Sequence, residues 1–393
     1  MGIIGNMANN GYNTAKALRK FGMDVDLIIT SSVLNPFAAV EWEEGIFGPE
    51  ISQDNFSFET VVAAGKLWDR PKWVKYYDTW LFKNRQTLFK RWFEGLQFYD
   101  IIADYDILEL HVPFPIMSPF FKVPTLVYEA GWIREFPRGN TYSDFLACRG
   151  YAKADRILVT NIDMWRIFDS LDYIGKDRVL YMPFSIDYER YCPMDMIELR
   201  RKVAKDNEII LLNPSRQHWE YKGNDKVFKA LKKLSTEYDN VKLWAAEWGK
   251  DLSKSKSLIQ ELGLVDKVLW FPPVAKPKLI EYFNAADIIL DQFAEPSDKH
   301  QIWGPWGTAA LEAMSCGRPL LMYYDLEGVD RYVGEKPYAV HSLSIEDIYR
   351  NLKMLIESPS FREEVGKKSR EWVKRMHGPE VVARKYQQLI SVL

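Results

Sequence analysis

Cysteine is nearly absent from this chain. The three residues Cys148, Cys192 and Cys316 are odd in number and far apart in 393 residues. They exclude a disulfide framework and a zinc-ligand spacing, and the simplest compartment for them is a reducing one. Histidine is scarce as well. His111, His218, His300, His341 and His377 show no metal-ligand spacing, so no metal is expected. No apolar run approaches the roughly 18 residues of a membrane span. The opening MGIIGNMANNGYN is too short and too polar for a signal peptide. Charge of one sign is missing too: 52 Lys and Arg stand against 54 Asp and Glu, a net −2. A nucleic-acid protein would carry a basic excess. The expectation is a cytoplasmic protein with no nucleic-acid partner.

What remains is ample for packed cores, at 47% hydrophobic and 14% aromatic residues. The length suits two domains. In the C-terminal half, apolar runs at Ile209–Leu212, Val241–Ala245, Val268–Phe271, Ile288–Leu290 and Leu320–Tyr323 alternate with helical patterns such as Asp225–Leu234, Lys278–Asn284 and Ala309–Met314. Short buried strands separated by helices predict a parallel sheet covered on both faces. The N-terminal half repeats this grammar, with strands at Ile3–Ile4, Val25–Ile29, Ile107–Leu110, Thr125–Tyr128 and Ile157–Val159. The fold class is therefore α/β, with two Rossmann-like parallel-sheet domains. Domains of 1–190 and 194–377 meet at a proline-bearing linker, and the helix of about 378–393 packs back on the first. In such sheets ligands bind outside the carboxyl ends of the strands.

Two segments carry chemistry. GPWGTAALEAMSCGRPLL (304–321) follows a strand and opens a helix. Gly304 and Gly307 near that helix start let a phosphate approach free N–H groups and the positive end of the helix dipole. Glu312 lies about two turns in, and a plain surface or capping glutamate explains it equally well. SRQHWEYKGND (215–225) follows the first strand of the same half. Its Arg216 and Lys222 are placed to meet a diphosphate, although loop cations are more often merely solvated. His111 ends another strand, where it lines a ligand-binding edge or serves as a structural histidine.

With these residues in hand, the chain resembles the retaining nucleotide-sugar glycosyltransferases of family four, which have the GT-B fold. KADRILVTNIDM (153–164), YMPFSIDYERYCP (181–193), SRQHWEYKG (215–223), NAADIILDQF (284–293) and GPWGTAALEAMSCGRPLL follow the family's motifs in the family's order. The resemblance implies two domains facing a cleft. It implies a sugar moved with retention from a nucleotide-sugar, UDP- or GDP-linked, to a hydroxyl acceptor that includes lipid-linked ones. The route is polysaccharide, glycolipid or glycoconjugate synthesis, with no cofactor and no metal. Arg216 and Lys222 would bind the diphosphate, Glu312 the ribose hydroxyls, and the N–H groups around Gly307 and Thr308 the phosphate. Gly5 and Gly11 would bring the first domain close to the donor or acceptor.

Two departures accompany the resemblance. The family's first glutamate, a contact to sugar hydroxyls, is replaced by Gly304, with Asp291 or Gln292 as substitutes. The usual histidine after Thr125–Tyr128 is absent, so Glu129 becomes the candidate for contacting the reacting sugar, with Arg134 reaching a phosphate or carboxylate. These departures keep two alternatives open: an inactive sugar-nucleotide-binding partner, and a nucleotide-sugar epimerase on the same fold. The stretch Arg70–Arg91 carries aromatic and basic residues near helical spacing. It predicts a helix, either packed on the core or lying on the inner membrane face through residues 70–93.

Overall fold

The structure is a computed structural model of the whole chain. It describes residues 1–31, 34–48, 51, 56–78, 98–134, 142–294 and 306–393. The chain divides into two compact units, one of Met1–Ser185 with Pro379–Leu393 and one of Ile186–Gly378.

The first unit is built on seven strands: β1 (Gly2–Ile4), β2 (Asp26–Thr30), β3 (Val74–Tyr77), β4 (Leu108–His111), β5 (Thr125–Glu129), β6 (Arg156–Val159) and β7 (Val179–Tyr181). Among the described residues they lie in the order β3-β2-β1-β4-β5-β6-β7, and every pairing is parallel. Side chains covered on both faces explain why a short apolar run such as Gly2–Ile4 is wholly buried; Leu108–His111 is wholly buried as well, its Glu109 and His111 bonding each other. The helix Asn10–Lys20 buries Ala15 and Leu18, and its neighbour Pro379–Ile390 buries Val382, Ala383 and Tyr386, all in one core cluster.

The stretch Val74–Tyr77 corrects the helix expected over Arg70–Arg91. It is an edge strand paired with β2 from Leu27↔Val74 to Thr30↔Tyr77. Lys75 leaves the sheet to bond Asp26 at 2.6 Å and Tyr105 at 3.1 Å. An aromatic-rich run read at helical spacing was overridden by pairing with a distant strand. The remainder of the expected membrane-facing stretch, residues 79–93, lies outside the described residues. No described helix is long and apolar enough to cross a membrane.

The second unit repeats the plan with β8 (Ile209–Asn213), β9 (Val241–Ala246), β10 (Val268–Phe271), β11 (Ile288–Leu290), β12 (Leu320–Met322) and β13 (Val340–His341). Their order is β10-β9-β8-β11-β12-β13, again all parallel. In both sheets the order reverses direction at one place, between β1 and β4 and between β8 and β11. Chain crossovers leave toward opposite faces there, and a crevice opens at the strands' carboxyl ends.

Candidate functional site

The reversal point of the second sheet brings together Lys222, Asp291 and Gln292 of the residues singled out above. Ser215 and Lys222 follow β8, and Asp291 and Gln292 follow β11. Lys222 Nζ stands 3.2 Å from Asp291 Oδ1 and 3.5 Å from Gln292 Oε1. The Ser215 hydroxyl donates to the same Asp291 Oδ1. Asp291 is buried, and among the described residues its other oxygen, Oδ2, has no hydrogen-bond donor.

The loop carrying Lys222 is fixed by backbone fit. Gly223 is left-handed (φ 64°), and a Cβ there would lie 2.7–2.9 Å from backbone atoms of Phe293 and Ala294. Only glycine takes this conformation in so little space. Phe293 N–H donates to the Lys222 carbonyl at 2.8 Å, which seals the contact. Upstream, Asn224 accepts from His218 N–H and donates to Asn213. His218 Nδ1 accepts from Tyr221 N–H and its ring stacks on Tyr221 at 4.1 Å. Burial, then the nearby Arg216 and Lys250, hold the His218 imidazole below its usual range and so in the neutral form that accepts. Arg216 is exposed, with no hydrogen bond or ion pair among the described residues.

The helix Thr308–Ser315 starts at Gly307, whose extended backbone carries no side-chain cap. A Cβ added at Gly307 would meet nothing within 4 Å among the described residues. The first N–H groups of a helix have no intrahelical acceptor, so an anion approaching them finds donors and the positive dipole end. Gly304 lies outside the described residues.

Glu312, on the same helix, is buried and held by Lys276 Nζ at 2.5 Å from Oε1 and 2.7 Å from Oε2. Lys276 was not picked out in the sequence, yet a signal existed. It is the first residue of the helix Lys276–Ala285, which has no acidic residue in its first turn. A cation there opposes the helix dipole and needs another reason.

The first unit's candidates fall into three places. Gly5 (φ 98°) follows β1, and a Cβ there would lie 2.9 Å from His111 Cβ; one on Gly11 would lie 2.4 Å from the Gly5 carbonyl. These glycines let the turn fold on itself, braced by Asn6, which donates to Asn9 and Ala38 and accepts from Tyr12 N–H. His111, the last residue of β4, bonds buried Glu109 at 2.8 Å and stacks on Tyr128 at 4.4 Å. Tyr386 donates to the other Glu109 oxygen at 2.5 Å, and His111 Nδ1 is buried without a partner among the described residues. Glu129 is fully buried: it accepts from Tyr151 OH at 2.5 Å and Gly131 N–H at 2.6 Å, and burial pushes its carboxyl up. Arg134 forks onto buried Asp163 at 2.5 and 2.9 Å. The structure therefore places Glu129 and Arg134 in the bracing of the loop after β5. Among the described residues, no three His, Cys, Asp or Glu are arranged to hold a metal.

The family model described as glycosyl transferases group 1 matches residues 195–372, inside the second unit. The D-inositol 3-phosphate glycosyltransferase of Geodermatophilus obscurus is 27% identical over 181 residues, covering 43% of this chain and 38% of that protein. Its counterpart from Paenarthrobacter aurescens is 27% identical over 263 residues, covering 64% and 60%. The chain thus spans less than two thirds of either relative's length. Among solved structures, Anabaena Alr3699/HepE in complex with UDP and glucose has a TM-score of 0.72 at 13% identity, covering 100% of each chain. Sucrose-phosphate synthase from Thermosynechococcus elongatus has a TM-score of 0.70 at 15% identity, covering 100% of this chain and 99% of that one. At such identities the likeness establishes the fold. By that fold the chain is a GT-B protein of two Rossmann-like parallel-sheet units, and its second unit is similar to the glycosyl transferases of group 1.

Proposed function

We propose that this chain is a retaining, metal-independent hexosyltransferase that takes a sugar from a UDP- or GDP-sugar bound to the second unit and passes it to a hydroxyl acceptor. The observation that carries the reading is Lys222 held over Asp291 at the reversal point of the second sheet, where this fold binds ligands. Lys222, Arg216 and the uncapped helix start at Gly307 supply positive charge for a diphosphate. The same groups stabilise the charge that grows on the leaving nucleoside diphosphate as the sugar–oxygen bond breaks. The acceptor hydroxyl attacks the sugar on the face the leaving group departs from, and its proton passes to the departing phosphate. Arg216 is exposed and ready to close on an anion, and a guanidinium meets phosphate with two parallel N–H bonds. Gln292 and Asp291 stand where sugar hydroxyls would be read. The Anabaena neighbour was solved with UDP-glucose, which favours the uridine donor.

Calorimetric titration with UDP and GDP, followed by transfer assays with their sugars, tests the proposal. Lys222→Ala is expected to abolish transfer and weaken nucleotide binding at least tenfold. Absence of binding to either nucleotide overturns the donor site. Full activity in Lys222→Ala overturns the role of the lysine. Release of free nucleoside diphosphate without a glycosylated product points to an epimerase instead.

A further inference from the structure

We infer that Lys276 is a positioning residue that turns Glu312 into a selector for ribonucleotide donors, a reading that rests on the donor site proposed above. Glu312 is buried, and a buried carboxylate needs donors in place of the water it gives up. Lys276 supplies them and fixes the direction of the group, at 2.5 and 2.7 Å from its two oxygens. An ionised carboxylate offers about four lone-pair directions. The lysine uses one on each oxygen, which leaves acceptor capacity on both. Two acceptors side by side on one rigid group match the two adjacent hydroxyls of a ribose.

The placement argues for this role. The lysine opens the helix Lys276–Ala285, which follows the carboxyl end of β10, and Glu312 lies in the helix Thr308–Ser315, which follows the carboxyl end of β11. Both therefore belong to the ligand-binding side of the sheet. A cation at a helix N-terminus is opposed by the dipole, and the ion pair to Glu312 is what offsets that. A structural pair on a surface would be screened and exposed. Here the carboxylate side chain is 3% exposed and the lysine 15%, so the pair holds a defined charge and direction.

The test compares binding of UDP with that of the 2′,3′-dideoxy analogue, by calorimetry, in wild type, Lys276→Met and Lys276→Arg. Wild type is expected to prefer UDP by about 10- to 100-fold, the usual range for losing hydrogen bonds to a charged acceptor. Lys276→Met is expected to lose most of that preference while binding the dideoxy analogue as wild type does. Lys276→Arg is expected to retain the preference. A full UDP preference in Lys276→Met overturns the inference while leaving the donor site intact. Failure of wild type to bind UDP or GDP at all overturns the donor site itself. Because the readout is a ratio of two ligands on one variant, a general loss of folding would lower both affinities and leave the ratio unchanged.

Discussion

Gly223 and Gly263 form a natural pair for separating two effects that usually travel together. Both are left-handed, with φ 64° and 66°, so an alanine at either position meets the same backbone penalty of about 1–2 kcal/mol. Their surroundings differ. At Gly263 an added methyl meets nothing within 4 Å, whereas at Gly223 it lands 2.7 Å from Phe293 C, 2.8 Å from Phe293 O and 2.9 Å from Ala294 N. These are backbone atoms and cannot rotate away. Forcing extra volume into packed structure adds about 1–3 kcal/mol. Gly263→Ala is therefore expected to cost about 1–2 kcal/mol, and Gly223→Ala about 2–5 kcal/mol. Urea unfolding followed by tryptophan fluorescence reads the difference, with the transition of the second unit taken by itself. The strand-end bond from Phe293 N–H to the Lys222 carbonyl must also give way, so Gly223→Ala should move Lys222 off Asp291. UDP binding should weaken at least tenfold, while Gly263→Ala leaves it unchanged. Equal destabilisation in the two variants, or unchanged UDP affinity in Gly223→Ala, would refute the claim that close approach to β11 sets the position of the lysine.

Further predictions concern the bracing of each unit. Arg134→Ala leaves Asp163, 1% exposed, without its guanidinium. The first unit should lose about 3–5 kcal/mol, and Arg134→Met with Asp163→Leu should recover much of it in thermal unfolding. Unaltered stability in the single variant would show that the pair is dispensable. His218 should make stability depend on pH. Its folded-state pKa lies below the unfolded value of about 6.5, so its full contribution is present above pH 6.5. That contribution falls as the pH drops from there toward the folded value, since the unfolded chain binds the proton more readily. His218→Asn keeps a good capping side chain and should flatten the unfolding midpoint between pH 6.5 and 5, unlike wild type. An identical slope in both proteins would sink this. Glu129→Gln should leave the first unit folded, since an amide oxygen can still accept from Gly131 N–H and no buried carboxyl remains to be kept from water. Marked destabilisation in circular dichroism melts would contradict that.

The sequence was most legible where burial alone decides structure. Val268–Phe271 and Ile288–Leu290 form strands with the expected limits, because strands covered on both faces read as continuous apolar runs. Lys222, Asp291 and Gln292 came from two separate segments of the sequence, and the order of the strands is what brings them together. Pairings across long separations were hidden. Lys276 and Glu312 are 36 positions apart, and nothing local announces the partner. Tyr386 and Glu109 are 277 apart, and a tyrosine on an amphipathic helix gives no hint of a buried carboxylate at the far side of the chain. VKYY at 74–77 misled for a related reason. Its strand state comes from β2, and Lys75 is accommodated by Asp26 and Tyr105 rather than by a polar face of its own. Glu129 looked available because its position after β5 is a ligand-binding one; its Tyr151 and Gly131 bonds come from the fold.

The helix Pro379–Ile390 belongs to the first unit, although 193 residues of the second unit, Ile186–Gly378, separate it from the rest. During synthesis the first unit therefore waits. Its sheet can form, but Glu109 lacks the Tyr386 hydroxyl and the surface meant for Val382 and Ala383 stays uncovered until the last residues emerge. The second unit is continuous and has all its strands in hand earlier. It follows that the order of completion runs against the order of translation: the second unit is finished first, and the first unit is closed last. A stop codon before residue 379 should accordingly yield a folded second unit attached to an aggregation-prone first one.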